Sequence, residues 1–434
     1  MLGLMQDHPL LVSSLVRHAD RHHGDAAVVS RSIEGPIHRS MFAVAHARAR
    51  RLANALRRLG VGEGDRVATL AWNTHRHLEI YMAVSGMGAV CHTINPRLFR
   101  DQIVYIVNHA TDSYVFFDLS FAALVEELRP LAPCVKGWIA MTDTAHLGAA
   151  PAAALCYETL VEAESDAFDW PLLDERSAAG LCYTSGTTGN PKGVLYSHRS
   201  TVLHAYAGAL PDAMAISARD VAMPIVPMFH VNAWGIPYMC LLTGAALVLP
   251  GAALDGNSLC ELFESEGVTF SAGVPTVWLG VLQHLEATNR RLSTLERLLV
   301  GGSACPPALM RTFAERYGIE MLHGWGMTEM SPVGTVSKPK AKHRGLDGEA
   351  LLALKAKQGR ALPGVDLKIV DGAGSALPWD GTNFGDLWVR GSWIASAYYK
   401  EGGSALSDGW FPTGDVATID PDGYVKITDR SKDV

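Results

Sequence analysis

The sequence predicts an α/β protein of two stacked, related lobes with mixed, mostly parallel sheets, followed by a small β-barrel-like subdomain. Three observations carry this expectation. Short apolar runs alternate with helical stretches through the first part of the chain, the alternation restarts near Val221, and beyond about Gly334 the chain breaks into short β segments between Gly, Pro and Asp turns. The boundaries read from these changes are residues 1–180 for the first lobe, 181–333 for the second, 334–428 for the β subdomain and 429–434 for a hinge.

Residues 40–60 read as an amphipathic helix, with Phe42, Leu52, Ala53 and Leu56 set against an arginine-rich face. Gly62, Gly64 and Asp65 punctuate it. Residues 67–71 then read as a strand, 78–86 as a helix, 89–94 as a strand, 97–109 as a helix and 114–117 as a strand. In the second set, residues 234–242 and 259–266 read as helices, and 245–249, 268–270, 298–300 and 321–322 as strands. Gly86-Met87-Gly88-Ala89-Val90 and Thr243-Gly244-Ala245-Ala246-Leu247 each leave a helix for a buried strand, which suggests a duplication. Residues 365–370, 386–389 and 424–427 are the short β segments of the last region.

Composition narrows the functional classes. Apolar residues make up 48% and charged residues 19% of the 434, the profile of a multi-domain globular chain with a large core. A formal net charge of −7 argues against a general nucleic-acid or anionic-membrane binder. The seven cysteines are scattered without a CxxC pair, so a reduced, cytoplasmic chain is expected. Charged residues interrupt every long apolar stretch, so no integral membrane segment is expected. His18 and His22 have metal-ligand spacing without a third ligand nearby, and the arginine run at Arg48, Arg50, Arg51, Arg57 and Arg58 is balanced by Glu63 and Asp65. Both are read as solvated faces.

The sharpest signal is Tyr183-Thr184-Ser185-Gly186-Thr187-Thr188-Gly189-Asn190-Pro191-Lys192-Gly193, set between two apolar β-like runs. Its three glycines let successive backbone N–H groups turn toward one anion without Cβ obstruction. Four hydroxyls and Lys192 add donors and positive charge, the chemistry that holds a polyphosphate. The NTPase loop G-x4-G-K-[ST] is excluded, because Pro191 precedes the lysine and Gly193 follows it.

This loop resembles that of the adenylate-forming superfamily, which includes acyl-CoA synthetases, luciferases and peptide-synthetase adenylation domains. Three further segments match in order: Gly324-Trp325-Gly326-Met327-Thr328-Glu329, Thr413-Gly414-Asp415, and the hinge Asp429-Arg430-Ser431-Lys432-Asp433. Within the superfamily, His92-Thr93-Ile94-Asn95-Pro96-Arg97-Leu98 is most similar to medium-chain acyl-CoA ligases and methylmercaptopropionate-CoA ligases.

The resemblance implies a site. Thr184, Ser185, Gly186, Thr187, Thr188, Gly189 and Lys192 would hold the phosphates of ATP. Gly302, Ser303, Ala304, His323, Gly324, Trp325, Gly326, Met327 and Thr328 would line the adenine, with the Trp325 ring as a stacking face. Asp415 would accept the ribose hydroxyls and Arg430 would lie beside the ribose and phosphate. Glu329 and Thr184 would hold Mg²⁺, a hard cation that wants oxygen ligands. Lys192, Thr184, His230, Glu329 and Arg430 are the implied catalytic set.

The acid pocket is placed at Pro227-Met228-Phe229-His230-Val231-Asn232-Ala233-Trp234. Amino-acid-activating relatives carry an aspartate where this chain has His230, so an amino acid is a poor candidate. Acetate- and propionate-activating relatives carry a tryptophan at the position of Gly326, whereas glycine is expected to leave the wall open. Met228, His230, Val231, Trp234, Gly302, Gly326, Met327 and Val333 would then form an apolar, sulfur-lined slot for a short or medium acid.

The implied activity is adenylation of a carboxylic acid with release of pyrophosphate, followed by transfer to coenzyme A. The alternatives are an acyl-AMP ligase serving a carrier protein and a non-catalytic nucleotide-binding module. Partners are therefore small molecules, with a homodimer left open. Family members continue for roughly a hundred residues past the hinge, so a small C-terminal domain is expected to be absent from this chain.

Overall fold

The computed structural model describes residues 1, 3–184 and 189–430, the last by its backbone. Among the described residues the strands form a seven-stranded, a nine-stranded and a four-stranded sheet. The seven-stranded sheet runs, in spatial order, Leu155–Cys156, Gly137–Ala140, Tyr114–Phe117, Arg66–Leu70, Val90–Thr93, Ala178–Tyr183 and Gly193–Ser197. All its pairings are parallel except the last, a hairpin that carries the phosphate-loop sequence at its tip.

The nine-stranded sheet runs Arg360–Ala361, Val333–Val336, Glu320–Gly326, Arg297–Val300, Phe270–Gly273, Val221–Pro224, Ala246–Leu249, Ala27–Arg31 and Ile37–Met41. Its middle is parallel and its two ends are antiparallel. Sheet membership therefore crosses the linear division at residue 180. The strands of residues 27–41 join the second sheet, and the hairpin of residues 178–197 closes the first. The strand Ala27–Arg31 pairs with Ala246–Leu249 in parallel, with Val28 opposite Leu247.

The two helix-to-strand junctions expected to correspond do so. Gly88 follows the helix His75–Gly86 with φ +93°, and Gly244 follows Ile236–Thr243 with φ +78°. Both take the left-handed conformation that ends a helix most readily at glycine. Helix His75–Gly86 is buried along its whole length and is capped by Thr74, whose hydroxyl accepts from the His77 N–H. It lies in one large apolar cluster that draws residues from all three sheets, so the lobes share a core.

The last sheet is an open antiparallel one, in the order Val365–Val370, Phe384–Gly391, Phe411–Ile419 and Val425–Arg430, rather than a closed barrel. The predicted helix at residues 234–242 begins later, at Ile236, because residues 231–234 turn the other way. The arginine face of helix Phe42–Arg58 also departs from expectation. Arg48 is mostly buried and pairs with Glu79 at 2.8 Å and Glu158 at 2.9 Å, while Arg58 pairs with Glu164 at 2.7 Å. No helix of the described residues is long and apolar enough to cross a membrane.

Candidate active site

The site lies where the hairpin of the first sheet, the end of the second sheet and the small sheet converge. Strand Gly193–Ser197 runs straight into helix His198–Ala209, with Ser197 as the cap accepting from the Ser200 N–H at 3.0 Å. The hairpin neck is closed twice. The Thr184 N–H donates to the Lys192 carbonyl at 2.9 Å, and the Thr184 hydroxyl accepts from the Lys192 N–H at 3.2 Å. Gly189 holds φ +103° on the exposed tip. Ser185, Gly186, Thr187 and Thr188 lie outside the described residues, as does the side chain of Arg430.

Lys192 projects from this neck toward the segment 395–401. Its ammonium is 3.5 Å from the Glu401 carboxylate and 4.7 Å above the Tyr398 ring. The Tyr398 hydroxyl donates to Glu329 Oε1 at 2.7 Å. Burial, with the Glu329 carboxylate beside it, pushes the Tyr398 phenol above its ordinary pKa, so it stays a donor. Glu329 is only 7% exposed, and among the described residues Tyr398 is its sole side-chain donor and no cation pairs with it. A buried carboxylate so lightly satisfied suits Mg²⁺, which takes one or two carboxylates and fills its shell with water and substrate phosphate. The Thr184 hydroxyl, expected from the sequence to help hold the metal, is tied into the neck by the Lys192 N–H.

Backbone contacts lock these groups together. The Tyr196 hydroxyl donates to the Thr328 carbonyl at 2.6 Å, the Ala395 N–H to the Glu329 carbonyl at 2.8 Å, and the Tyr399 N–H to the Gly193 carbonyl at 2.8 Å.

Trp325 and Asp415, 90 positions apart in sequence, meet in space. The indole N–H donates to Asp415 Oδ2 at 2.9 Å. The indole lies close over Gly334, where a Cβ would come within 3.3 Å of the ring. Asp415 follows Gly414, whose φ is +76°, and its backbone pairs with that of Arg430. Gly302 turns with φ +78°, and Ser303 and Ala304 after it are exposed. His323 is buried and donates from Nδ1 to the Ala356 carbonyl at 2.8 Å, and burial lowers its pKa.

Gly326 corrects the sequence reading. A Cβ there would overlap the Pro332 carbonyl oxygen and sit 3.0 Å from the Val333 Cα, so the residue faces hairpin backbone. Its glycine is needed for close approach of two strands, and a tryptophan could not stand there as a simple pocket wall. Gly324 and Met327 belong to the same hairpin, Gly324 opposite Val336 and the Met327 N–H donating to the Pro332 carbonyl at 3.1 Å.

The segment expected to form the acyl wall is the least expected in its shape. Val231, Asn232, Ala233 and Trp234 all hold left-handed backbone, at φ of 45°, 53°, 51° and 55°, and Gly235 continues at 78°. Each non-glycine residue in that region costs about 1–2 kcal/mol. Packing offsets this cost. Ala233 is fully buried, the Trp234 ring lies against Gly301, and Asn232 Oδ1 accepts from the Tyr81 hydroxyl at 3.2 Å. The reversed turn sends Val231 toward Cys182, Val194 and Tyr196 beneath the phosphate hairpin, separate from the cluster holding Met228, Trp234 and Val333. Met228, Val231, Trp234 and Val333 are all buried, Val231 in one cluster and the other three in another. Behind them a polar recess of about 10 Å³, lined by Tyr196, Thr201, His204, Asn232, Gly235, Tyr238 and Ser331, has room for one water and no acyl chain.

His230 stands exposed at the edge of the wall, where surrounding protein and the Arg97 guanidinium hold its pKa below the ordinary histidine value. Arg97 in turn lies over the rings of Trp72 and Phe229, at 5.7 and 5.6 Å. Tyr398, Glu401, Tyr81 and Trp72 escaped the sequence reading. Only the run Tyr398-Tyr399-Lys400-Glu401, aromatic and charged among turn residues, offered a signal.

Known proteins bear on this geometry. Residues 15–399 match the AMP-binding enzyme family. The chain is 52% identical, over its whole length and 81% of the relative, to a 3-methylmercaptopropionyl-CoA ligase of Ruegeria lacuscaerulensis. It is 51% identical, over its whole length and 80% of the relative, to a medium-chain-fatty-acid–CoA ligase of Ectopseudomonas oleovorans. Among solved structures, the anthranilate CoA ligase AuaEII in complex with anthranoyl-AMP superposes with a TM-score of 0.87 at 22% identity, covering 99% of this chain and 80% of that one. The N-terminal domain of FACL13 from Mycobacterium tuberculosis superposes with a TM-score of 0.83 at 24% identity, covering 97% and 99%. With its motifs gathered on one face and the match spanning most of its length, the chain belongs to the AMP-binding enzyme family.

Proposed function

We propose that this protein is an AMP-forming acid–thiol ligase that activates a short- to medium-chain apolar carboxylic acid, a fatty acid or a methylthio-alkanoate, with ATP, Mg²⁺ and coenzyme A. One observation carries the reading: the phosphate-loop lysine Lys192 and the buried carboxylate Glu329 meet through Tyr398, beside the Trp325–Asp415 pair. This arrangement supports a reading in which a polyphosphate meets the lysine while a nucleoside meets the flat ring and its acceptor. The 52% relative acts on methylmercaptopropionate and the 51% relative on medium-chain fatty acids, and a wall of Met, Val and Trp without fixed charge suits both.

The chemistry required of the protein is mainly positioning and charge compensation. The acid carboxylate attacks the α-phosphorus in line and pyrophosphate leaves, with Lys192 and the loop N–H groups compensating the phosphate charge. Mg²⁺, when bound, neutralises charge on the departing pyrophosphate, and Glu329 would hold it. The coenzyme A thiol then attacks the acyl carbonyl and AMP leaves. His230, with its pKa lowered, is neutral at pH 7 and can accept a hydrogen bond from the thiol. The seven free cysteines support a cytoplasmic location, and a homodimer is proposed for light scattering to test.

The test is a panel of acids from butyrate to decanoate plus 3-methylthiopropionate, with ATP and Mg²⁺. Pyrophosphate release should require an acid, and acyl-CoA should form only when coenzyme A is added. ATP binding without pyrophosphate release from any acid would sink the reading.

A further inference from the structure

We propose that Tyr398 is a positioning residue for the metal carboxylate: its hydroxyl fixes Oε1 of Glu329 so that the remaining carboxylate oxygen faces the cation held with the phosphates. This rests on the reading of Glu329 and Lys192 as the metal and phosphate groups.

The geometry singles Tyr398 out. It touches both candidates at once, donating to Glu329 at 2.7 Å while its ring lies 4.7 Å beneath the Lys192 ammonium. A free carboxylate rotates about its last bond and presents either oxygen. A hydroxyl at hydrogen-bond distance removes that freedom, and a phenol does so without adding a charge that would repel the cation. The residue is itself held. Ala395 and Tyr399 on either side donate their N–H groups to Glu329 and Gly193, and the ring meets Phe411 edge-on at 6.3 Å. Tyr398 therefore moves with the metal carboxylate on one side and the phosphate hairpin on the other. Lys192 is meanwhile paired with Glu401 across 3.5 Å, both groups being nearly half exposed. Such a pair is weak, so a polyphosphate can exchange with Glu401 at little cost.

The proposal predicts a loss of coupling between metal and nucleotide, not a loss of nucleotide binding. ATP affinity would be measured by calorimetry with excess MgCl₂ and again with EDTA, for wild type, Tyr398→Phe and Glu329→Gln. Phenylalanine keeps the ring under Lys192 and removes only the donor. Wild type should bind ATP more tightly with Mg²⁺. Tyr398→Phe should lower that ratio about three- to tenfold with unchanged affinity in EDTA, and Glu329→Gln should abolish the ratio. If Glu329→Gln abolishes it and Tyr398→Phe leaves it intact, the positioning role fails while the reading of Glu329 stands. If Tyr398→Phe weakens both conditions equally, its role is packing and the proposal fails. If neither variant alters the ratio, Glu329 is not the metal carboxylate.

Discussion

At three turns beside the nucleotide candidates, the left-handed backbone position is filled by glycine: Gly189 at the phosphate loop, Gly302 at the adenine segment and Gly414 before the ribose aspartate. On the acyl side, Val231, Asn232, Ala233 and Trp234 adopt the same region without a glycine among them. The first side obtains its shape from residues that tolerate it and the second from surroundings that impose it. A shape imposed by packing responds to any change in that packing. The acyl side is thus the part of the site whose form depends most on its neighbours.

The largest expected effect tests whether glycine on the nucleotide side serves space as well as conformation. Gly326→Ala would drive a methyl into the Pro332 carbonyl, which backbone must yield to. We expect failure to accumulate folded protein or a loss of at least about 3 kcal/mol, beyond the usual range for overpacking against side chains. Normal thermal unfolding of the variant would show that the hairpin opens freely at this point.

The next effect comes from the support of the acyl wall. Buried Asp118 accepts from the Trp72 N–H at 2.6 Å, and the Trp72 ring meets Phe229 edge-on at 5.8 Å. Burial pushes the Asp118 pKa up to about 7. The folded state then binds this proton more tightly than the unfolded state, so stability falls as pH rises from the ordinary carboxylate range, about 4, through about 7. Asp118→Asn lacks that loss. Urea unfolding should show the variant gaining on wild type between pH 5 and pH 8, by on the order of a few kcal/mol. A difference independent of pH would break the link.

On the nucleotide side, Asp415→Ala removes the acceptor of the Trp325 indole and, on the proposed function, that of the ribose hydroxyls. MgATP affinity measured by calorimetry should fall about ten- to a hundredfold, the scale of one or two hydrogen bonds to a charged group. Unchanged binding would remove Asp415 from the site.

The smallest effect is the most specific to the comparison. Ala233→Gly loses a buried methyl and stiffens nothing, yet it relieves left-handed strain at φ 51°. The two terms should cancel to within about 0.5 kcal/mol. The same change at Ala83, buried within a helix, should cost more than about 1 kcal/mol. Equal costs at the two alanines would mean the wall stores no strain.

Much of this architecture was legible before any coordinates. The alternation of apolar runs located both helix-to-strand junctions at Gly88 and Gly244, because glycine marks the left-handed position there. The ordered motifs brought Trp325, Glu329 and Asp415 to one face, because local backbone geometry fixes which residue types can serve there. Trp234 was misread as the first residue of a helix, since Val-Asn-Ala-Trp carries nothing in its own chemistry that selects a reversed turn. Gly326 was misread for the opposite reason: its absent side chain answers to a neighbouring strand, which sequence spacing does not reveal. Tyr398 was missed because its partners Glu329 and Lys192 lie 69 and about 200 positions away.

The crossing of the amino-terminal strand into the second sheet has a consequence for biogenesis. Val28 finds its partner Leu247 only after about 220 further residues have been made. At about 5–20 residues per second, ribosomal synthesis leaves residues 27–31 without that neighbour for roughly 10–45 s. In that interval Val28 and Val29, both buried in the finished sheet, have only the adjoining strand Ile37–Met41 to pair with. The nascent first lobe therefore carries an unpaired hydrophobic edge, a surface that chaperones can recognise and that nascent chains on neighbouring ribosomes can join.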